Sequence, residues 1–119
     1  MIRAVKLHDV RRGEAAAQGR VVLVDRLWPR GVAKEDLDCE WLKDAAPSPE
    51  LRRWFNHDPA RWEEFRRRYR AELAEGNADV ERLVGWAGTD VTLLYGAADR
   101  EHNHAIVLAE WLTEQAAKR

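Results

Sequence analysis

The feature that most constrains this fold is residues 21–24 (Val-Val-Leu-Val), an unbroken aliphatic run. A short apolar run rich in β-branched residues predicts a strand buried on both faces, as in a parallel sheet. The run ends abruptly at residues 25–31 (Asp-Arg-Leu-Trp-Pro-Arg-Gly). Because open α/β sheets bind ligands beyond the carboxyl ends of their strands, this polar segment is where we expect a site.

The rest of the chain predicts two more strands, over residues 2–8 and 91–95, and a series of helices. The start signals Ser48-Pro49 and Asp58-Pro59 and the apolar periodicity of the segments after them are typical of helices. The predicted helices cover residues 39–45 with Asp38 as the cap, 49–55, 59–75, 79–87, and 100–117 with Asp99 as the cap.

This order of elements predicts an α/β fold for residues 1–119 as a single domain. The expected architecture is a small, mostly parallel sheet of three or four strands, covered by helices to give three layers. Two alternatives remain open. Residues 9–19 are near the minimum length of a parallel crossover, so a hairpin competes with it. If the apolar runs are helical instead, the chain is all-helical.

Composition restricts the class of protein. Apolar residues make up 45% of the 119 residues, and 20 basic residues nearly balance 21 acidic ones. Nucleic-acid and membrane-surface proteins are usually basic, so neither class is favoured. The single cysteine excludes an intramolecular disulfide. No run reaches the roughly 18 apolar residues of a membrane helix, and the first residues lack a signal-peptide core, which predicts a cytoplasmic protein.

The carboxyl ends of parallel strands meet at one edge of the sheet, and this predicts where chemistry occurs. Asp25 follows the central strand, Tyr95 ends the last strand, and His104 lies near the start of the final helix. We predict these three as catalytic residues. Asp25 or His104 would move a proton, and Tyr95 would orient the substrate or donate to it.

The same edge is predicted to bind an anion. Arg26 and Arg30 carry fork-shaped donors suited to phosphate or carboxylate, on a loop that contains Gly31. The first turn of the final helix, near Asn103, adds N–H groups and a dipole that favour negative charge. The predicted ligand is a small phosphorylated or nucleotide-like anion, and no cofactor is predicted.

Each candidate also has an ordinary structural interpretation. Asp25 with an arginine can form an ion pair that only fixes the loop. Tyr95 is typical of a core residue with a satisfied hydroxyl. Asp99 is more typical of a helix cap than of a catalytic acid.

Metal binding and thiol chemistry are not favoured. His102 and His104 point about 200° apart on a helix, so they do not share one ion, and no third ligand with zinc-like spacing follows. Cys39 lies at the start of a predicted helix, where a thiolate is favoured, but no histidine is adjacent in the sequence.

Several arginines between residues 52 and 70 suggest a nucleic-acid face, but glutamates are interleaved with them. The spacing predicts the helical ion pairs Glu63–Arg67 and Glu64–Arg68. A solvated, self-paired face is therefore the favoured interpretation.

Several blocks of the chain resemble the YeaO-like family, small bacterial proteins of unknown function. The blocks are residues 24–31, 54–59 (Trp-Phe-Asn-His-Asp-Pro), 62–65 with Tyr69, 93–97 and 103–105. The resemblance spans about residues 3–112 and implies a compact α/β domain whose first two strands are parallel. It brings no established activity.

Longer relatives in that family carry cysteines at the positions of Tyr95 and Asn103, next to a histidine matching His104. The resemblance therefore implies that thiol chemistry does not transfer to this chain, and only the acid, the arginines and the histidine carry over. Two hypotheses remain: an enzyme that uses acid–base chemistry on an anionic substrate, and a non-enzymatic module that binds an anion or a nucleic-acid phosphate. A purely structural or oligomeric role is a third possibility.

Overall fold

The computed structural model describes residues 1–118 and shows a parallel α/β fold. Four strands form one sheet in the order β1-β4-β2-β3, and every pairing is parallel. The strands are β1 (Ile2–Lys6), β2 (Arg20–Leu23), β3 (Glu40–Trp41) and β4 (Val91–Tyr95). The hairpin and all-helical alternatives are therefore wrong.

Residues 1–118 form five α-helices, with short 3₁₀ turns at Lys34–Asp36, Lys43–Ala45 and Pro59–Arg61. They are α1 (Leu7–Arg11), α2 (Pro49–Phe55), α3 (Trp62–Glu75), α4 (Ala78–Trp86) and α5 (His104–Ala117). Within residues 1–118, none of these helices combines the length and the apolar character that crossing a membrane requires.

The last strand of the sequence lies inside the sheet, between the first two. All five residues of β4 are buried, and β1 and β2 each pair with it instead of with each other. The first two strands are thus parallel, as the resemblance implies, but they are not neighbours. Because β4 follows α4 in the sequence, its pairings with β1 and β2 join segments that are distant along the chain.

The two faces of the sheet are covered unequally. Helices α2, α3, α4 and α5 cover the face that carries Val22, Val24 and Leu93, and this side holds most of the buried apolar residues. The opposite face carries Leu23 and Leu94 and is covered by α1 and the loop after β2. The site described below lies at the carboxyl edge, above the larger core.

The apolar stripe predicted for α3 is confirmed, because Phe65, Tyr69 and Leu73 are all buried. Phe65 stacks on Phe55 of α2 with ring centroids 4.3 Å apart. The Tyr69 hydroxyl donates to the Ala45 carbonyl at 2.5 Å and so fixes the segment that leads into α2.

One of the two predicted ion pairs on α3 is wrong. Glu64 accepts from both Arg67 and Arg68, whereas Glu63 lies 3.9 Å from Arg66. The i,i+3 partners compete with the i,i+4 partners for the same exposed carboxylates. The arginines of α3 are thus largely paired with acids.

Several predicted elements differ from the structure. The predicted helix over 59–75 opens as the 3₁₀ turn Pro59–Arg61, and α3 itself begins at Trp62. The first strand ends at Lys6, and the next residues form α1 instead of extending it. The predicted helix over 39–45 is wrong, because Glu40–Trp41 pairs with β2 and the Leu42 N–H donates to the Leu23 carbonyl at 3.0 Å. The open edge of β2 supplies backbone partners that a short isolated helix lacks, and Asp38 caps no helix.

The final helix begins later than predicted, and its cap is Asn103 instead of Asp99. The Asn103 side chain accepts from the Ile106 N–H at 3.1 Å. Asp99 accepts instead from the N–H groups of Glu101 and His102, in the turn before α5. Both residues are good capping types, and only the path of the chain after β4 decides which one caps the helix.

The buried bond from Tyr69 gives a stability prediction. Tyr69→Phe removes the donor and leaves the Ala45 carbonyl buried without it, so we expect a loss of about 1–2 kcal/mol in the free energy of unfolding. Urea denaturation measures this loss. Thr113→Ala is the control, because the Thr113 hydroxyl also donates to a backbone carbonyl but is exposed. Equal effects for the two variants would contradict the prediction.

Candidate functional site

A cavity of about 230 Å³ opens at the carboxyl edge of the sheet. It lies between the end of β2, the exit of β4, the start of α5 and the C-terminal end of α2. Its lining is Asp25, Arg26, Leu27, Ala46, Pro47, Arg52, Phe55, His57, Phe65, Gly96, Ala97, His102, Asn103 and His104. Among these residues, Asp25 carries the one carboxylate.

Asp25 joins the two central strands. Its Oδ2 accepts from the Gly96 N–H at 2.8 Å. Glycine allows this approach, because a Cβ at position 96 would lie 2.9 Å from Oδ2. The other oxygen, Oδ1, is buried and accepts no hydrogen bond from residues 1–118. The side chain is 22% exposed, and Oδ1 contributes nothing to that exposure.

His104 lies against Asp25 at the first position of α5. Its Nε2 is 3.0 Å from the Val24 carbonyl oxygen and 3.2 Å from Asp25 Oδ1. The N–H direction favours the carbonyl as the acceptor, which is why Oδ1 stays unbonded despite this short distance. Two acceptors around Nε2 place a proton on that nitrogen and leave Nδ1 as the acceptor of the neutral ring.

Arg26 lines the cavity, but its guanidinium is engaged in the wall. It donates to the Ala46 and Pro47 carbonyls at 3.2–3.4 Å, and its Nη1 lies 3.4 Å from Asp44 Oδ1. Arg26 therefore does form a structural ion pair, but its partner is Asp44 and not Asp25 as the sequence suggested. Arg26 fixes the segment before α2 and contributes positive charge to the cavity.

Three predicted site residues do not line the cavity. Tyr95 is buried in the main core, and burial raises the pKa of its phenol. Arg30 is exposed on the loop, and Gly31 follows it with a φ of 74°. The Trp28 indole donates to the Val32 carbonyl at 2.7 Å and packs edge-on against Trp41, which directs this loop toward the opposite face of the sheet.

Asn103 lines the cavity but is occupied by its structural role. Only 2% of the residue is exposed, its Oδ1 caps α5, and its Nδ2 donates to the Asp99 carbonyl at 3.0 Å. We therefore assign it the role of setting the position of His104 and not that of a free donor to a ligand.

Arg52, His57 and His102 line the cavity and were not predicted as site residues. Asn56 and His57 have φ values of 49° and 53°, two consecutive left-handed residues that turn the chain from α2 toward the cavity. Such backbone conformations in residues other than glycine are uncommon. The turn signal between two helices marked this segment, but only the packing of α2 beside α5 brings it to the site.

His102 is held by two neighbours at the rim of the cavity. Its Nδ1 lies 3.0 Å from Asp99 Oδ2, and its ring meets Trp62 edge-on with centroids 5.2 Å apart. His102 and His104 therefore both line the cavity, although the sequence placed them on opposite sides of one helix. The difference arises because His102 precedes α5.

The other titratable groups near the edge have structural partners. Asp9 forms a two-pronged contact with Arg100, and these hydrogen bonds lower the pKa of its carboxyl. Burial raises the pKa of the Cys39 thiol. Cys39 was predicted at the start of a helix, but it precedes the strand β3. Within residues 1–118, no group of three or more His, Cys, Asp or Glu side chains is arranged to hold a metal.

The turn before α5 gives a pH prediction. Hydrogen bonds from the Glu101 and His102 N–H groups lower the pKa of Asp99 in the folded state. Because the pKa is lower in the folded state, the ionised carboxylate stabilises the fold at any pH above the ordinary aspartate pKa near 3.8. This stabilisation is lost as the pH falls through the lowered pKa of the folded state.

Asp99→Asn should therefore lower the free energy of unfolding at about pH 5 and above, where the carboxylate is ionised. The difference from wild type should shrink as the pH falls below about 4. Denaturation at a series of pH values measures it, and amide hydrogen exchange at Glu101 and His102 reports the local effect. A difference that does not change with pH would contradict the assignment.

Comparisons with known proteins give the family. A family model described as "Inactive DUF488-N3 subclade" matches residues 4–119. The uncharacterized protein YeaO of Escherichia coli is 46% identical over 98 residues, which cover 81% of this chain and 85% of that protein.

An uncharacterized protein of Mycobacterium tuberculosis is 42% identical over 97 residues, which cover 79% of this chain and 80% of that protein. No solved structure matches the chain. The resemblance to YeaO-like proteins is confirmed, and the chain belongs to the DUF488-N3i family.

Proposed function

We propose that this protein binds a small anionic ligand, phosphate or a phosphate-bearing compound, in the cavity at the carboxyl edge of its sheet. The observation that carries the proposal is the excess of hydrogen-bond donor side chains over carboxylates in the lining. Two arginines and three histidines line the same cavity as a single carboxylate. Guanidinium groups bind oxyanions through charge-assisted and often bidentate hydrogen bonds, and an imidazole N–H can also donate.

Arg52 is the side chain best placed to hold the anion. It is exposed on α2 and lines the cavity, and no acidic side chain of residues 1–118 forms an ion pair with it. Arg26, in contrast, already donates to two carbonyls. An arginine without such partners keeps all five N–H donors for a ligand, which supports Arg52 as the main anchor.

The apolar part of the lining suggests that the anion belongs to a larger molecule. Phe55, Phe65 and Pro47 form one side of the cavity, and Leu27 is 64% exposed at its edge. Small-molecule sites usually combine apolar walls with a few placed polar groups. This combination is typical of a small-molecule site, so we favour a small ligand over a nucleic-acid backbone.

The description of the family as inactive supports binding without turnover. A cytoplasmic setting is part of the proposal, and the lone, partly buried Cys39 is compatible with it. No cofactor enters the proposal.

Adjacent arginines on α2 provide the test. Arg52→Ala should weaken the binding of inorganic phosphate at least fivefold, because it removes the free guanidinium from the cavity. Arg53→Ala is the control, because it makes the same change in net charge at the neighbouring position, but Arg53 does not line the cavity. We expect less than a twofold effect from it. Titrations followed by amide chemical shifts give both affinities, and equal losses would contradict a local anion site.

A second candidate function is acid–base catalysis on a phosphate-bearing substrate, and the contact between Asp25 and His104 favours it. The Nε2 proton is fixed by the Val24 carbonyl beside a carboxylate. This arrangement leaves Nδ1 as a base, as in carboxylate–histidine pairs that move protons.

This second candidate makes a different prediction for His104. His104→Gln keeps an N–H that can donate to the Val24 carbonyl but removes the base. If the protein is an enzyme, the variant should lose at least 100-fold in turnover of a panel of phosphate esters, while phosphate binding changes less than threefold. If wild type turns over no member of the panel and the variant binds like wild type, the catalytic candidate is rejected and the binding role stands.

A further inference from the structure

We infer that the cavity selects an oxyanion that carries its own proton, such as hydrogen phosphate, over a fully ionised one such as sulfate. This inference rests on the proposed anion-binding function and adds the class of ligand. The observation behind it is the position of Asp25, the one carboxylate among the lining residues.

Asp25 retains acceptor capacity in the cavity. Each carboxylate oxygen accepts about two hydrogen bonds. Oδ2 accepts one, from the Gly96 N–H. Because Asp25 lines the cavity and its Oδ1 is buried, Oδ2 is the oxygen that a ligand would reach. A second acceptor position on this oxygen is therefore available to a ligand that brings a donor.

The carboxylate is held in place when a ligand enters. The Gly96 N–H holds Oδ2, and the buried Oδ1 lies against His104 beside the Val24 carbonyl. If the Asp25 carboxylate rotated, its hydrogen bond from the Gly96 N–H would break and that N–H would lose its acceptor. A ligand must therefore complement a fixed acceptor that carries negative charge.

The two kinds of oxyanion differ in their ability to do this. Arg52, His57 and His102 attract phosphate and sulfate alike, because both are tetrahedral anions of similar size. Hydrogen phosphate retains a P–OH at neutral pH and can donate to Asp25. Sulfate has only acceptor oxygens, which face the carboxylate with like charge and no proton between them. The discrimination therefore arises at Asp25.

The test compares matched pairs of anions on the intact chain. Calorimetric titration at pH 7 and constant ionic strength should show phosphate binding at least fivefold more tightly than sulfate. Arsenate and selenate form a second pair with the same difference in protonation, and arsenate should bind more tightly by a similar factor. Agreement of the two pairs identifies the proton as the cause.

Asp25→Asn should reduce the phosphate-to-sulfate ratio below two. The amide oxygen still accepts from the Gly96 N–H, while the negative charge that repels sulfate is removed. Asp38→Asn is the control, because it removes one negative charge from an exposed position that does not line the cavity, and it should leave the ratio unchanged.

The outcomes separate this inference from the proposed function. Equal binding of phosphate and sulfate by wild type overturns the selectivity and leaves the anion site standing. Binding of neither anion overturns both. An unchanged ratio in folded Asp25→Asn also overturns the inference. If that variant does not fold, the two wild-type ratios decide, since both must favour the protonated anion.

Discussion

The pairing of β2 with β4 is the interaction on which the rest of the structure depends. It joins segments that are far apart in the chain, and the bond from the Gly96 N–H to Asp25 closes it at the carboxyl edge across 71 positions. The strands bury the apolar runs that the chain must remove from water. Their shared direction places the polar residue after each strand at one edge, which makes a site possible there.

The cavity and the core share supporting residues. The segment between β3 and α2 forms one wall, and its carbonyls are bound from two sides. Tyr69 reaches them from the core, and Arg26 reaches them from the end of β2. Asn77 adds a bond to the Asp44 carbonyl at 2.8 Å. The shape of the site is therefore set by groups that also stabilise the fold, and Arg26 links the two.

The site residues that the sequence found and those it missed differ in how they reach the cavity. Asp25 and His104 lie directly at the ends of elements, so the direction of the strands was enough to place them together. Arg52 and His57 come from α2 and the turn after it, and they reach the cavity through the packing of Phe55 on Phe65. No local pattern encodes that contact.

The sequence alone determined the class of the fold. The apolar runs, the capping signal at Ser48 and the stripe of α3 were each sufficient for the element they predict, because they depend on neighbours within a few residues. Asp58 caps a 3₁₀ turn that leads into α3. They also determined that Asp25 follows a buried strand.

Only the tertiary structure decided which polar residues share the cavity. Arg30 and Tyr95 have suitable chemistry, but Trp28 directs the loop that carries Arg30 to the other face, and the alternation of β4 buries Tyr95 in the core. Glu40–Trp41 became a strand because β2 offered an open edge. Contacts between distant segments made each of these choices, and the free energy of such contacts outweighs local preference.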